Sequence, residues 1–341
     1  MCEIINFTFW DEVVIFIVGF LYINKMSFYF NQATISQLIQ TSPNSVSRMI
    51  ATLQVEPIIS ENNHKKYSVE KTRLITDVLY ASNYKPIKKQ VHVFYNFKGG
   101  TGKTSLCYQA ITHLAILGYK VLALDLDPQG HLSNIMGIPE DWNGETIYDV
   151  IVNGYPLEDA IKNVFPGVDL LPANISMTRI EVPLSSKTKR EEKLKSVLEP
   201  LLPQYDFVII DTNPTISTLN MNALVASDHV NIVCETQPFS LSGLRVLVDQ
   251  MLSFYGDMGV SPCYCIIPNK YEIKTAIAQE VLGALRAEYG SQVFSAVVRK
   301  SEDINASSKK KLPVSAFCKT KAPAFEDVMD LVHELVKISI K

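Results

Sequence analysis

The sequence predicts an α/β protein, a doubly wound and mostly parallel sheet preceded by a small, mainly helical unit. Three observations carry that reading. Five short runs, Val91–Tyr95, Val121–Asp127, Phe207–Asp211, His229–Cys234 and Cys263–Pro268, are apolar on both faces, as strands covered by helices on both sides must be. Helical stretches separate them, and strands alternating with helices join in parallel through right-handed crossovers. The first run leads straight into a glycine-rich loop and a helix, an arrangement that cradles phosphate.

Length and composition set the frame. A chain of 341 residues is at the upper limit for one core, so a large domain plus a smaller one is expected. The formal net charge of −3 excludes a uniformly basic nucleic-acid coat but leaves local patches open. Six cysteines are scattered, and Cys263 and Cys265 alternate along an apolar strand. That suits reduced, buried thiols in a cytoplasmic protein and predicts neither disulfide nor zinc site.

Residues 1–25 contain an apolar run, Val13–Ile23, too short to span a bilayer and preceded by Glu3, Asp11 and Glu12 instead of basic residues. A packed strand or helix, an interfacial anchor, and an extension upstream of a start at Met26 all fit it. Residues 26–80 read as a helix-turn-helix unit. Ala33–Gln40 forms one short amphipathic helix, Ser42 is placed as N-cap with Pro43 at the first helical position, and Asn44–Leu53 forms a second helix. Ser45, Ser47 and Arg48 lie on its outer side as candidate DNA contacts, and His64–Tyr67 resembles a wing. Residues 24–90 hold nine Lys/Arg against four Asp/Glu, the balance that phosphate contact requires. A helical hairpin used for dimerisation fits the same pattern. Residues 81–90, with Pro86 and three lysines, read as a linker to a nucleotide-binding domain over 91–341.

The loop after the first strand reads Lys98-Gly99-Gly100-Thr101-Gly102-Lys103-Thr104-Ser105. Its glycines let backbone N–H groups converge on one anion. Lys103 supplies charge for phosphate oxygens, and the Thr104 hydroxyl suits Mg²⁺. Where the common phosphate-loop pattern has glycine at position 97 this chain has Phe97, followed by the second lysine, Lys98. K-G-G-x-G-K-T is the deviant Walker A loop, and the chain resembles the ParA/MinD class of ATPases. The resemblance implies ATP and Mg²⁺ as cofactors, with Lys98 reaching across a dimer to the partner's nucleotide.

Further segments extend the resemblance. Asp125 and Asp127 close the second strand, and D-L-D-P-Q-G is similar to the ParA switch I signature. That match makes Asp127 the residue that orients the attacking water or supports Mg²⁺ and its waters, with Asp125 beside it as a candidate metal ligand. Phe207–Asp211 has the Walker B form, so Asp211 is expected to accept from Mg²⁺-bound water. The second proline usual in this class is Thr215 here. Asn269, just past a strand, matches the position that holds the adenine edge in relatives; a turn asparagine is the alternative.

Arg299–Lys321 holds seven Lys/Arg and two acids. The resemblance implies that this region, including Arg299, Lys300, Lys309, Lys310 and Lys311, binds DNA without sequence preference once dimers form. The last helix, Ala324–Ile340, carries Glu326, Asp327, Asp330 and Glu334, which disfavours the basic membrane helix of MinD and any stable membrane association. The sequence is therefore expected to encode a ParA/RepA-type partition ATPase. Homodimers formed with ATP would bind double-stranded DNA on the nucleoid and be released by hydrolysis that a centromere-binding ParB-type protein stimulates. A transcriptional repressor using ATP only as a ligand, and a MinD-like membrane ATPase, are the alternatives.

Overall fold

The computed structural model describes residues 28–59 and 65–340; the apolar run at 13–23 and His64 lie outside them. The N-terminal unit runs β1 (Tyr29–Phe30), α1 (Gln32–Leu38), α2 (Pro43–Thr52), β2 (Ile58–Ile59), β3 (Lys65–Ser68) and α3 (Val69–Leu79). Its strands form a small antiparallel sheet in the order β1-β3-β2. Each helix begins on a side-chain cap: Asn31 accepts from Thr34 N, Ser42 from Ser45 N and Ser68 from Lys71 N. Such a cap stabilises a helix by about 1 kcal/mol by satisfying one of its free N–H groups.

The main sheet has seven strands in the order β10-β9-β4-β8-β5-β7-β6. These are β4 (Val91–Tyr95), β5 (Val121–Asp125), β6 (Lys162–Phe165), β7 (Val168–Leu171), β8 (Phe207–Asp211), β9 (His229–Glu235) and β10 (Tyr264–Asn269). All neighbours are parallel except β6, an antiparallel edge strand that turns into β7 through Gly167 at φ 84°. The sequence reading contained neither β6 nor β7: Lys162–Phe165 is half polar, as an edge allows, and Val168–Leu171 is a short run interrupted by Asp169. The principal helices are α4 (Lys103–Ile116), α5 (Thr218–Ala226), α6 (Pro238–Asp257), α7 (Ala276–Tyr289), α8 (Glu302–Lys310) and α9 (Pro323–Ser339).

Side chains alternate along each strand and divide the core into two layers. Phe94, Ala123, Ile209 and Ile267 face α4, α8 and α9, while Val93, Leu124, Ile210 and Ile266 face α5, α6 and α7. The first layer also takes in Ile35, Leu38, Val46 and Ile75, so the N-terminal unit shares its core with the sheet. Burying one such side chain contributes about 1.5–3 kcal/mol.

Polar contacts reinforce that docking. Thr76 Oγ1 donates to Ile116 O at 2.6 Å, and the Arg73 guanidinium donates to Ala115 O and Tyr119 O, so α3 caps the carboxyl end of α4. Gly118, at φ 110°, passes so close to Asp77 that a Cβ would lie 2.6 Å from its Cα. The segment expected as a linker, 81–90, is pinned as well. Ala81 and Ile87 are buried, and the Lys88 and Lys89 N–H groups donate to Ser339 O at 2.9 and 3.0 Å.

Candidate nucleotide site

The carboxyl ends of β4, β5, β8, β9 and β10 gather the site, as expected for a doubly wound sheet. After β4 the loop needs left-handed backbone at Gly100 (φ 76°) and Gly102 (φ 91°), and a Cβ on Gly102 would lie 2.4 Å from Asn269 Nδ2. Glycine is required there on both counts. Asn269 Nδ2 donates to Thr101 O at 2.7 Å, so this asparagine is seated against the loop backbone. No side chain caps the start of α4, which leaves its first N–H groups for an anion.

The two lysines of the loop stand in different environments. Lys103 is buried, with Nζ 3.3 Å from Lys98 O. Burial lowers its pKa, while Asp211 and Asp127 pull it back up. Lys98 is half exposed and ion-paired with Glu235 at 2.7 Å. Lys270 holds the other Glu235 oxygen at 2.8 Å and also donates to Gly100 O. Burial pushes the Glu235 pKa up, but hydrogen bonds from Lys270 and Lys98 outweigh it and hold the carboxylate below its ordinary value. Sequence reasoning missed Glu235 and Lys270. The signal was present, since Glu235 is an acid at the carboxyl end of an apolar strand, the same criterion that selected Asp125 and Asp211.

Asp125 and Asp211 are register partners on adjacent strands and both are fully buried. Asp125 accepts from Ser133 N (2.8 Å), Ser133 Oγ (2.7 Å) and Asp127 N (3.1 Å). Burial raises its pKa to about 6 even so. With both oxygens engaged, Asp125 shapes the loop after β5. Asp127 lies beyond the strand end, half-buried, with Oδ1 accepting from Gln129 N at 3.0 Å.

Asp211 is different. Both of its carboxylate oxygens are buried without a hydrogen-bond partner. Burial first, and the neighbouring Asp125 charge second, push its pKa well above the carboxylate range. The Thr104 hydroxyl faces it and acts in the opposite sense, though without forming a well-shaped hydrogen bond. An orphaned carboxylate beside a threonine hydroxyl and a phosphate loop fits Mg²⁺ with its waters. Among the described residues no three His, Cys, Asp or Glu side chains converge as a metal site. Beside Thr104 and Ser105 opens a cleft of about 980 Å³ walled by Gln129, Trp142, Asn174 and Ser308.

The candidate DNA contacts lie elsewhere. Arg299 is locked onto Asp327, its Nε 2.8 and 2.9 Å from the carboxylate oxygens, and Lys300 pairs with Glu272 at 2.8 Å. Both are therefore ion-paired within the chain, Arg299 part-buried and Lys300 exposed. Lys309 and Lys310 are exposed in the last turn of α8, Lys310 lies 4.1 Å from the Phe317 ring centre, and Lys311 follows at φ 55°. On α2, Arg48 is exposed, the Ser45 hydroxyl meets Ser42 at 3.0 Å, and Ser47 Oγ donates to Gln32 at 3.2 Å.

Comparison with known proteins agrees with this geometry. Residues 89–258 match the family described as AAA domain. The chain is 34% identical over 224 residues to the cell division protein PomZ of Myxococcus xanthus, covering 65% of this chain and 70% of PomZ. It is 31% identical over 210 residues to the chromosome partitioning protein ParA of Caulobacter vibrioides, covering 60% and 79%. Among solved structures, cobyrinic acid a,c-diamide synthase from Mycobacterium smegmatis, with bound ATP analogue and magnesium, superposes with a TM-score of 0.63 at 23% identity. The superposition covers 73% of this chain and 95% of the synthase and shows a shared fold. The sheet order, the two-lysine loop and these relatives together place the chain in the ParA family of P-loop partitioning ATPases.

Proposed function

We propose that the protein binds ATP with Mg²⁺, dimerises on it, and in that form binds double-stranded DNA on the nucleoid. Hydrolysis, stimulated by a centromere-binding ParB-type partner, releases it, and the N-terminal unit represses its own operon by helix-turn-helix contacts. The observation that carries this reading is the contrast between the loop's two lysines. Lys103 is buried under its own loop, whereas Lys98 is half exposed and parked on Glu235, where it can be handed to a second subunit. Phe239, 90% exposed, and Ile216, 59% exposed, stand within five residues of Glu235 and Asp211 and supply apolar surface for such a dimer.

Bound Mg²⁺ would neutralise charge between the phosphates. This chain's own residues do the rest: Lys103 and the glycine loop hold phosphate oxygens, Thr104 and Asp211 face the cation, and Asp127 orients water. A membrane role is disfavoured. No helix among the described residues is long and apolar enough to cross a bilayer, and the apolar face of α9 (Phe325, Val328, Val332, Val336) is buried in the core.

The test pairs two substitutions. Lys103→Ala should lower ATP affinity on the order of 100-fold or more, the scale of losing a charged contact to phosphate. Lys98→Ala should leave ATP affinity within a few fold yet abolish ATP-dependent dimers. Equilibrium nucleotide binding and light scattering read the two effects, and normal dimers from Lys98→Ala would refute the trans role.

A further inference from the structure

The loop carrying Lys319 and Lys321 does not stand apart from the N-terminal unit. Gln37, in the last turn of α1, donates its side-chain amide to the backbone carbonyl of Thr320, the residue between the two lysines. Leu38 and Phe325, on either side of this junction, are buried in one hydrophobic cluster. The Tyr80 hydroxyl also hydrogen-bonds His333 Nδ1, tying the end of α3 to α9. The loop and the helix pair are therefore held in a fixed relation.

Reach decides what that relation permits. Pro43, where α2 begins, lies only six positions beyond Gln37. Fully extended, six residues span about 20 Å, and the further rise along α2 to Arg48 adds about 7–8 Å. One turn of B-form DNA is about 34 Å long, so the exposed side of α2 and the Lys319–Lys321 loop lie within one helical turn of a duplex. Charge points the same way. Both lysines are exposed and enter no ion pair among the described residues, whereas Arg299 and Lys300 are neutralised by Asp327 and Glu272. Asp303 is the acid that shares their small cleft, together with Phe317, Cys318 and Ala322.

We propose that Lys319 and Lys321 grip the phosphate backbone of the same duplex that α2 reads, so that loop and helix form one continuous DNA-binding face. The inference rests on the DNA-binding reading above and goes beyond it. It makes part of the carboxyl-terminal basic region a clamp for specific binding that operates without nucleotide, instead of a separate surface that acts only in ATP-bound dimers.

The experiment uses the full chain without nucleotide and a 20-base-pair duplex enriched by the wild-type protein from a random pool. Fluorescence anisotropy is followed from about 50 to 200 mM salt. Replacing Lys319→Gln and Lys321→Gln together should make the log–log salt slope shallower by about 1.8, roughly 0.9 for each lost phosphate contact. Gln37→Ala, which keeps both charges but frees the loop, should weaken binding to the enriched duplex while leaving the slope of random-duplex binding unchanged. ATP affinity, measured alongside, serves as the control for folding. An unchanged slope and affinity in the lysine variant, with the wild type still preferring its enriched duplex, would overturn the shared face and leave the DNA-binding reading standing. A wild type that enriches no duplex and binds none, with or without ATP, would overturn both.

Discussion

The nucleotide site gathers far more buried, unpartnered polar groups than the N-terminal unit does. Around the phosphate loop, both Asp211 oxygens, the Thr101 hydroxyl and the Thr236 hydroxyl are buried without partners, and Lys103 is buried beside them. In the N-terminal unit the helix starts are capped, Thr72 Oγ1 is the one buried hydroxyl without a partner among its described residues, and Ser45, Ser47 and Arg48 remain at the surface, the serines engaged in short local hydrogen bonds. The difference teaches where a binding site leaves a physical trace. A site that closes around a cation and phosphates must carry buried groups whose partners arrive with the ligand, at a cost of about 1–3 kcal/mol for each unsatisfied group. A surface that meets a polyanion, the role proposed for α2, would keep its groups solvated until contact and store no such cost.

That comparison would break first at Asp211. Its folded pKa is raised, so the contribution from its protonated form is fully present below the ordinary carboxylate pKa and is lost as pH rises through the raised value. At neutral pH Asp211→Asn should therefore stabilise the nucleotide-free protein, each 1 kcal/mol gained raising Tm by about 2–4 °C. The same change should slow Mg²⁺-dependent ATP hydrolysis by about 100-fold or more. Calorimetry and phosphate release check the pair. A variant that melts lower and hydrolyses normally would show that Asp211 is an ordinary structural acid. Asp127→Ala should have a smaller effect. Hydrolysis should slow by about 10- to 100-fold with ATP affinity nearly retained, since the phosphate loop is untouched. Parallel loss of both would assign Asp127 to holding Gln129 N instead of water.

The two regions also differ in how far the sequence disclosed them. β4, β5, β8, β9 and β10 could be read from doubly apolar runs, and the phosphate loop from its glycines, because burial on both faces and phosphate geometry each constrain residue type strongly. Three features were hidden for physical reasons. β6 is a half-polar edge strand paired only with β7, so its pattern resembles a loop. The packing of residues 81–90 depends on Ser339, more than 240 residues away, and local pattern carries no information about so distant a partner. The roles of Asp125 and Asp127 depend on where the strand stops. Their spacing places both on one face of a strand, but the strand ends at Asp125 and the loop turns Asp127 to a separate task.

The smallest expected effect concerns the junction between the two regions. His333 lies on α9 against Tyr80, and burial lowers its pKa to about 4, with Lys337 adding in the same direction. A histidine whose folded pKa is depressed contributes stability that is present above its unfolded value, near 6.5, and is lost as pH falls toward the folded value. Between pH 7 and 5.5 this one side chain should cost the protein about 1 kcal/mol. Buried His92, His113 and His229, with pKa values lowered to about 4, about 4 and about 3, add to the same acid sensitivity. His333→Gln should therefore flatten the stability–pH profile by one histidine's share and leave the other three in place. Urea unfolding at pH 7 and 5.5, followed at once by backbone and tyrosine signals, measures it. If the N-terminal unit is one body with the sheet, both signals should shift together; a tyrosine transition that separates at pH 5.5 would show that the junction opens before the core does.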